Sequence, residues 1–466
     1  MKHLLLSCLA VLPLAAQTVD TPVRAVTDPG VVTTRQAITP AGVQAVFQGR
    51  VYGVAFGADA SEIHVLQAGG VYRMDWKANR VLSRVPLKGR MGLQGIRFDP
   101  ASRRVLAAYA DAKRQVRLIG VERGTETVLG GSAGTGLPGA LGVGGGIAAV
   151  PLVAANELAV VDVETGRLRG KAKTGIAPFG VALNRAGTVA YVTNWGGRVP
   201  RAGDLTAPTG LAADADQVVV DKRGIASTGT VTRIDLARMA TTATIAVGLH
   251  PTAVVWDEPR GRLYVANANS DSVSVIDTAG NTVLRTIEIQ PFPRKAAGIA
   301  PGALALSADG ADLYVACGGI NAVAVVSAAE GRVRGTIPTG WYPNALALSP
   351  DGGSLAVATL LGVGSGWSGD PSRRFVHANR GSVHVLAIPD RNQLASYTTA
   401  VAENNHMTLA PAPRAPASTP VAIPARSGDP SLIQHVVYII KENRTYDQVL
   451  GDMAKEIGRA SCRERV

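Results

Sequence analysis

Pro251-Thr-Ala-Val-Val255, Arg262-Leu-Tyr-Val-Ala-Asn267, Asp271-Ser-Val-Ser-Val-Ile-Asp277 and Val283-Leu-Arg-Thr-Ile287 follow one another as four short apolar runs parted by turn residues. The set returns as Pro301-Gly-Ala-Leu-Ala-Leu306, Leu313-Tyr-Val-Ala-Cys317, Asn321-Ala-Val-Ala-Val-Val326 and Val333-Arg-Gly-Thr-Ile337. A third copy holds Pro343-Asn-Ala-Leu-Ala-Leu348, Ser354-Leu-Ala-Val-Ala-Thr359 and Gly381-Ser-Val-His-Val-Leu386. A fourth holds Phe179-Gly-Val-Ala-Leu183, Ala190-Tyr-Val-Thr-Asn194 and Gly229-Thr-Val-Thr-Arg-Ile-Asp235. Runs this short, with Asp309-Gly310, Pro350-Asp351-Gly352 and Ala186-Gly187 between them, read as strands joined by tight turns. Matching Tyr264 to Tyr314 and Leu313 to Leu355 gives a repeat near the ~40–50 residues of a four-stranded propeller blade. Weaker copies open near Tyr52-Gly-Val-Ala-Phe56, Gly95-Ile-Arg-Phe98 and Gly145-Gly-Ile-Ala-Ala149. About seven units result, within the ~4–8 of known propellers. The pattern therefore predicts an all-β protein, a seven-bladed β-propeller over residues 44–404. One blade alone cannot bury both of its faces, and stacking blades around an axis does so without leaving open sheet edges.

Ala190-Tyr-Val-Thr-Asn194 and its relatives resemble the YVTN-repeat (YncE-like) β-propeller family. The resemblance covers nearly all of residues 44–404. It implies the ring and says little about activity, because such a scaffold hosts many functions.

Composition agrees. The 466-residue chain is 46% hydrophobic and 18% charged, with 53 Gly and 27 Pro, a turn-rich β profile that excludes a disordered chain. Its formal charge is +12. Such a surplus suits anionic partners, phosphorylated ligands or wall polymers among them, and equally suits a plain solvated basic surface. No dense basic run interleaved with aromatics occurs, so nucleic acid is not expected as a partner.

The start, Met1-Lys-His-Leu-Leu-Leu-Ser-Cys-Leu-Ala-Val-Leu-Pro-Leu-Ala-Ala-Gln17, has a basic end, a short apolar run and small residues. It reads as a secretory signal over residues 1–16, too short to span a membrane, and predicts a periplasmic or secreted protein with no transmembrane segment. Residues 17–43 form an N-terminal segment before the ring. Cys8 lies in the leader and Cys462 near the end, which leaves Cys317 in an apolar strand as a small buried hydrophobe.

Two blades carry insertions between their second and third strands, from Trp195 to Gly229 and from Gly362 to Arg380. Antiparallel strands send both to one rim. Arg198, Arg201, Lys222 and Arg223 sit in the first; Arg373, Arg374, His377 and Arg380 sit in the second. They form a candidate binding rim for an anionic ligand, or a docking surface, or simply two long solvated loops. Gly134-Thr-Gly-Leu-Pro-Gly139 matches the dinucleotide pattern in letters only, since Pro138 leaves it no helix to open. His64, His250, His377, His384 and His406 show no ligand spacing. Asp235 and Asp277 end equivalent strands and are expected to serve the same turn. No cofactor is expected for the ring itself.

Residues 405–430, with Pro411, Pro413, Pro416, Pro420, Pro424 and Pro430, read as an extended linker. Beyond it His435-Val-Val-Tyr-Ile-Ile-Lys-Glu-Asn-Arg-Thr-Tyr-Asp-Gln-Val-Leu-Gly451 is similar to the first motif of the bacterial phosphoesterase family that includes phospholipase C and acid phosphatases, a branch of the alkaline phosphatase superfamily. The resemblance implies a divalent metal ion bound by Glu442 and Asn443, with Arg444 and Asp447 orienting the turn. A carboxylate and an amide oxygen are hard donors that suit such an ion. Residues 431–455 would be the opening of that α/β domain, its first strand only. The nucleophile and remaining ligands are expected past Lys455, so the chain as given is expected to be inactive. Residues 456–466 back-translate to a sequence resembling a sequencing adapter read in frame and are set aside. The expected function is that of an exported metal-dependent phosphoesterase carrying a recruiting propeller. The alternative is a secreted propeller that binds an anionic surface polymer or a protein partner.

Overall fold

The computed structural model describes residues 21–26, 32–122, 124–131, 137–211, 215–364 and 379–409, with short pieces at 420–422, 430–435 and 437. Among them are seven four-stranded antiparallel sheets, the blades of a seven-bladed β-propeller. Blades 1 to 6 are built from chain-consecutive strands over Val51–Pro86, Arg90–Gly131, Gly142–Lys173, Ile176–Val247, Pro251–Glu288 and Pro301–Pro338. Within each, the first strand is innermost and the fourth outermost.

Burial follows strand position. In blade 5 the second and third strands, Arg262–Asn267 and Ser272–Asp277, are almost wholly buried, whereas the fourth, Thr282–Glu288, is exposed at every position but Ile287. Middle strands are covered by a neighbouring blade on both sides, which is why they read as continuous apolar runs rather than alternating ones. Seven clusters of buried apolar side chains result, one at each seam between adjacent blades. Hydrogen bonds near the axis add to them. Thr193 Oγ1 of blade 4 donates to Thr252 O of blade 5 (2.6 Å), and Thr252 Oγ1 donates to Pro301 O of blade 6 (3.2 Å).

Blade 7 differs from the pattern. Its inner three strands are Trp341–Leu348, Ser354–Gly362 and Ser382–Ala387, but its outer strand is Val43–Val46 from the other end of the ring. Val43 pairs with Val385 and Val46 with Ser382, so the N-terminal strand closes the circle. Residues just before it extend the closure. Val23 pairs with Val46, and Arg24 donates from Nη2 to Trp76 O of blade 1 (2.8 Å).

The run after blade 7, within the region read from sequence as ring, is a helix, Arg391–Asn404. Asp390 caps it by accepting from Gln393 N (2.8 Å). The helix lies along the outer strand of blade 6, where Thr398 Oγ1 accepts from Thr336 N (2.9 Å), covering an otherwise open sheet edge. Its own Val401 and Ala402 are buried against blades 5 and 6. No described helix is long and apolar enough to cross a membrane.

Candidate functional site

Antiparallel order places the blade-to-blade connections and the second-to-third-strand loops on one face, here called upper, and the remaining turns on the lower face. The upper face carries a motif repeated at the mouth of four blades: Gly175-Ile-Ala-Pro178, Gly248-Leu-His-Pro251, Gly298-Ile-Ala-Pro301 and Gly340-Trp-Tyr-Pro343. The residue before each proline is left-handed: Ala177 (φ 53°), His250 (51°), Ala300 (54°) and Tyr342 (62°). Gly248 is required there, because a Cβ would lie 2.6 Å from Cγ of Asn267. This repeated Gly-x-x-Pro was visible in the sequence and is a signal that strand patterning alone passes over.

Beneath the mouth lies a polar network. Asn194 Oδ1 accepts from Gly175 N (3.1 Å), and its Nδ2 donates to Thr230 Oγ1 and Thr232 Oγ1 (both 3.0 Å). Asn267 donates to Ser272 and Ser274 in the same way (3.2 and 3.0 Å). In blade 7 the positions hold Thr359, Ser382 and His384, with Ser382 Oγ 2.7 Å from both Thr359 Oγ1 and His384 Nε2. Blade 6 replaces all three by Cys317, Ala322 and Ala324, a fully buried apolar set. The Cys317 thiol is pushed up to about 12 by burial, so it is a packing residue and not a nucleophile.

Burial also lowers His384 to about 3 and His64 to about 4, leaving both neutral inside the blades. His250 lies at the mouth, stacked on Trp195 at 4.9 Å, and Trp195 stacks on Phe179 at 4.2 Å. Among the described residues no group of three or more His, Cys, Asp or Glu could hold a metal.

The rim residues resolve into different roles. Arg198 forms a two-pronged pair with Asp204 (2.6 and 2.7 Å), and this guanidinium holds the Asp204 carboxyl well below the usual range. Arg223 is likewise paired with Asp221 (2.7 Å). Arg201 and Lys222 are exposed, with no hydrogen bond or ion pair from their side chains to a described residue. Arg380 is buried, its backbone bridged to Gly49 and Gly362. Arg373, Arg374 and His377 lie outside the described residues, as do Glu442, Asn443, Arg444 and Asp447. The first insertion folds back as a small hairpin, Thr206–Pro208 on Gln217–Val219, with Val199, Leu205, Leu211 and Ile225 exposed around it.

Asp235 and Asp277 serve the same turn. Each accepts backbone N–H groups two or three residues on, from Ala237 and Arg238 and from Gly280. Leu137 to Gly139 lie in the connection between blades 2 and 3, and the first residues of that glycine-rich stretch lie outside the described ones.

The axis of the ring is crossed by a side chain that sequence reading missed. The innermost strand of blade 2 bulges between Met91 and Ile96, and Gln94 (φ 57°) donates from Nε2 to Gly302 O of blade 6 at 2.8 Å. The same bulge gives the Gln94 carbonyl to Leu141 N of blade 3 (3.2 Å).

No protein-family profile matches the chain, and no curated protein sequence matches it. Among solved structures, a chain of Kuenenia stuttgartiensis hydrazine synthase matches with a TM-score of 0.55 and 14% identity, over 77% of this chain and 99% of that one. At that identity the likeness is one of fold.

Proposed function

We propose that the ring is the recruiting domain of an exported, metal-dependent phosphate-ester hydrolase whose catalytic domain opens near residue 431. The observation that carries this reading is the sequence motif His435–Gly451, which follows a proline-rich stretch and resembles the metal-binding opening of bacterial phosphoesterases. The donor chemistry fits. The Glu442 carboxylate and the Asn443 side-chain oxygen would hold a divalent cation, which when bound neutralises phosphoryl charge and activates the attacking group.

The exit of the chain from the ring supports the arrangement. Asn404 donates to Thr39 Oγ1 (2.7 Å), and Asn405 donates to Ile320 O (2.9 Å) and accepts from Gln36 Nε2 (2.6 Å). Ile320 belongs to a second-to-third-strand turn, so the polypeptide leaves on the upper face, among the insertions. There Arg201 and Lys222 offer exposed cations to an anionic substrate or surface. The basic leader-like start supports export to a periplasm or beyond.

The test is hydrolysis of p-nitrophenyl phosphate and its diester by the product of the complete gene. Glu442→Ala should lower turnover about 100-fold, the scale on which loss of a metal-site group acts. Unchanged turnover sinks the assignment. The second reading, a secreted ring that binds an anionic polymer, rests on the same exposed cations. It requires Arg201→Ala with Lys222→Ala to weaken salt-sensitive retention on that polymer while leaving hydrolysis of soluble esters intact.

A further inference from the structure

One register position of the innermost strand is occupied by Ala55, Gly142, Ala182, Val255, Ala305 and Ala347 in six blades, and by Arg97 in blade 2. Each of these residues lies opposite the same position of the second strand, Leu106 in blade 2, and Leu106 belongs to the apolar seam with blade 3. The repeat therefore asks for a small apolar side chain, and blade 2 alone supplies a long cation.

Several arginines elsewhere in the ring meet a carboxylate. Arg117 meets Asp111 at 2.7 Å and Arg334 meets Asp312 at 2.6 Å. The Arg97 guanidinium makes no hydrogen bond or ion pair to any described residue, although only part of the side chain reaches solvent. Burial lowers its affinity for the proton, and no carboxylate acts in the opposite sense. The residue is half-buried and its guanidinium nitrogens keep contact with solvent, so a dissolved anion can reach a cation whose charge nothing nearby matches. Departures from an otherwise consistent pattern are where functional residues are expected. Arg97 lies three residues toward the lower face from Gln94, whose bond to Gly302 crosses the axis above it.

We propose that Arg97 anchors a binding site for a small oxyanion, a phosphate or a carboxylate, at the axial end of the seam between blades 2 and 3, entered from the lower face. A guanidinium presents paired N–H donors in the geometry that two oxygens of either group accept. The site is separate from Glu442 and Asn443 and stands whether or not the chain continues into a hydrolase.

The full chain would be titrated with inorganic phosphate and, separately, acetate, against chloride at equal ionic strength, with heat of binding and melting temperature as readouts. Arg97→Ala installs the residue that four sibling blades carry, so the ring should accommodate it. Binding of at least one of the two anions should weaken by at least about tenfold in Arg97→Ala and less in Arg97→Lys, which keeps the charge and loses the fork. The exposed Arg238→Ala should bind as the wild type does. Without either anion, Arg97→Ala should melt no lower than the wild type. The site is overturned if neither anion binds better than chloride, if Arg97→Ala keeps full affinity, or if that variant is less stable in anion-free buffer, which would make Arg97 a structural residue. Phosphate binding alone points to a phosphorylated ligand, and acetate binding alone to a carboxylate.

Discussion

Gln94 of blade 2 reaches across the axis of the ring to the Gly302 carbonyl of blade 6, 2.8 Å away, so one side chain ties together two blades that share no seam. Gln94 is buried, the bond itself is part-buried, and the Gln94 backbone is left-handed at φ 57°. Asn tolerates that conformation but is one methylene too short to span the gap. Gln94→Asn should therefore isolate the bond itself and cost about 1 kcal/mol, the net worth of a typical intramolecular hydrogen bond. Urea unfolding measures it. A midpoint equal to that of the wild type would mean the crossing contributes nothing.

Ring closure gives a contrast within one short strand. Ala45 is 4% exposed and packed in the seam between blades 7 and 1, whereas Val43 on the same strand is 39% exposed. Ala45→Asp places an unpaired carboxylate in that seam and should cost about 3 kcal/mol or more, while Val43→Asp should stay within about 0.5 kcal/mol. Losing the strand also uncovers the Ser382–Ala387 edge, which invites pairing with another chain. Size-exclusion chromatography should then show concentration-dependent oligomers for Ala45→Asp alone. Equal behaviour of the two variants would show that closure does not depend on this strand.

The buried histidines set a pH response. His384 falls to about 3 and His64 to about 4 in the folded ring, both below the ordinary value near 6.5, with burial as the first cause in each. Between those limits the unfolded chain binds protons that the folded one refuses. Stability should therefore drop as pH falls from about 6.5, by up to about 1.4 kcal/mol per pH unit for each histidine. Carboxylates held low by their partners, such as Asp162 beside Arg169, act in the same direction but only below about pH 4. A slope between pH 6.5 and 4.5 thus reports histidine, and His384→Val should flatten it. An unchanged slope in that variant would show that the ring protonates His384 without difficulty.

The ring was legible because strands covered on both sides by neighbours must be continuously apolar, and runs such as Leu313–Cys317 announce that directly. Closure was not, since nothing local in Val43–Val46 states that its partner lies at Ser382–Ala387. The helix had a signal: Asp390 is an N-cap residue, and Leu394, Tyr397 and Val401 fall on one helical face. The repeat pattern outweighed it. For the rim, sequence placed Arg198 on the right loop but could not show that six residues on Asp204 folds back to neutralise it. Arg97 was readable once the blades were aligned, because only a repeat supplies six reference residues for one position.

The polar triad under the mouth of blade 4 yields a coupling that a single substitution would hide. Asn194 donates to Thr230 and Thr232, and Asn194 and Thr232 both accept from Gly175 N, all buried. Blade 6 shows that the same fold accepts Cys317, Ala322 and Ala324 in their place. Asn194→Cys alone strands the Thr230 and Thr232 hydroxyls and leaves the Gly175 N–H only its longer bond to Thr232 Oγ1 (3.3 Å), and should cost about 2–3 kcal/mol. Adding Thr230→Ala and Thr232→Ala removes the stranded hydroxyls, so the triple variant should be more stable than the sum of the three single changes by at least about 1 kcal/mol. It should not reach wild type. In blade 6 the glycine equivalent to Gly175, Gly298, gives its N–H to Asp271 (2.7 Å), and blade 4 has Asn156 at the corresponding turn of the neighbouring blade, already engaged by Ala177 N (2.8 Å). Denaturant unfolding of the single, double and triple variants closes the cycle. Strict additivity would mean that the three side chains act independently and that the bonds among them carry no shared stability.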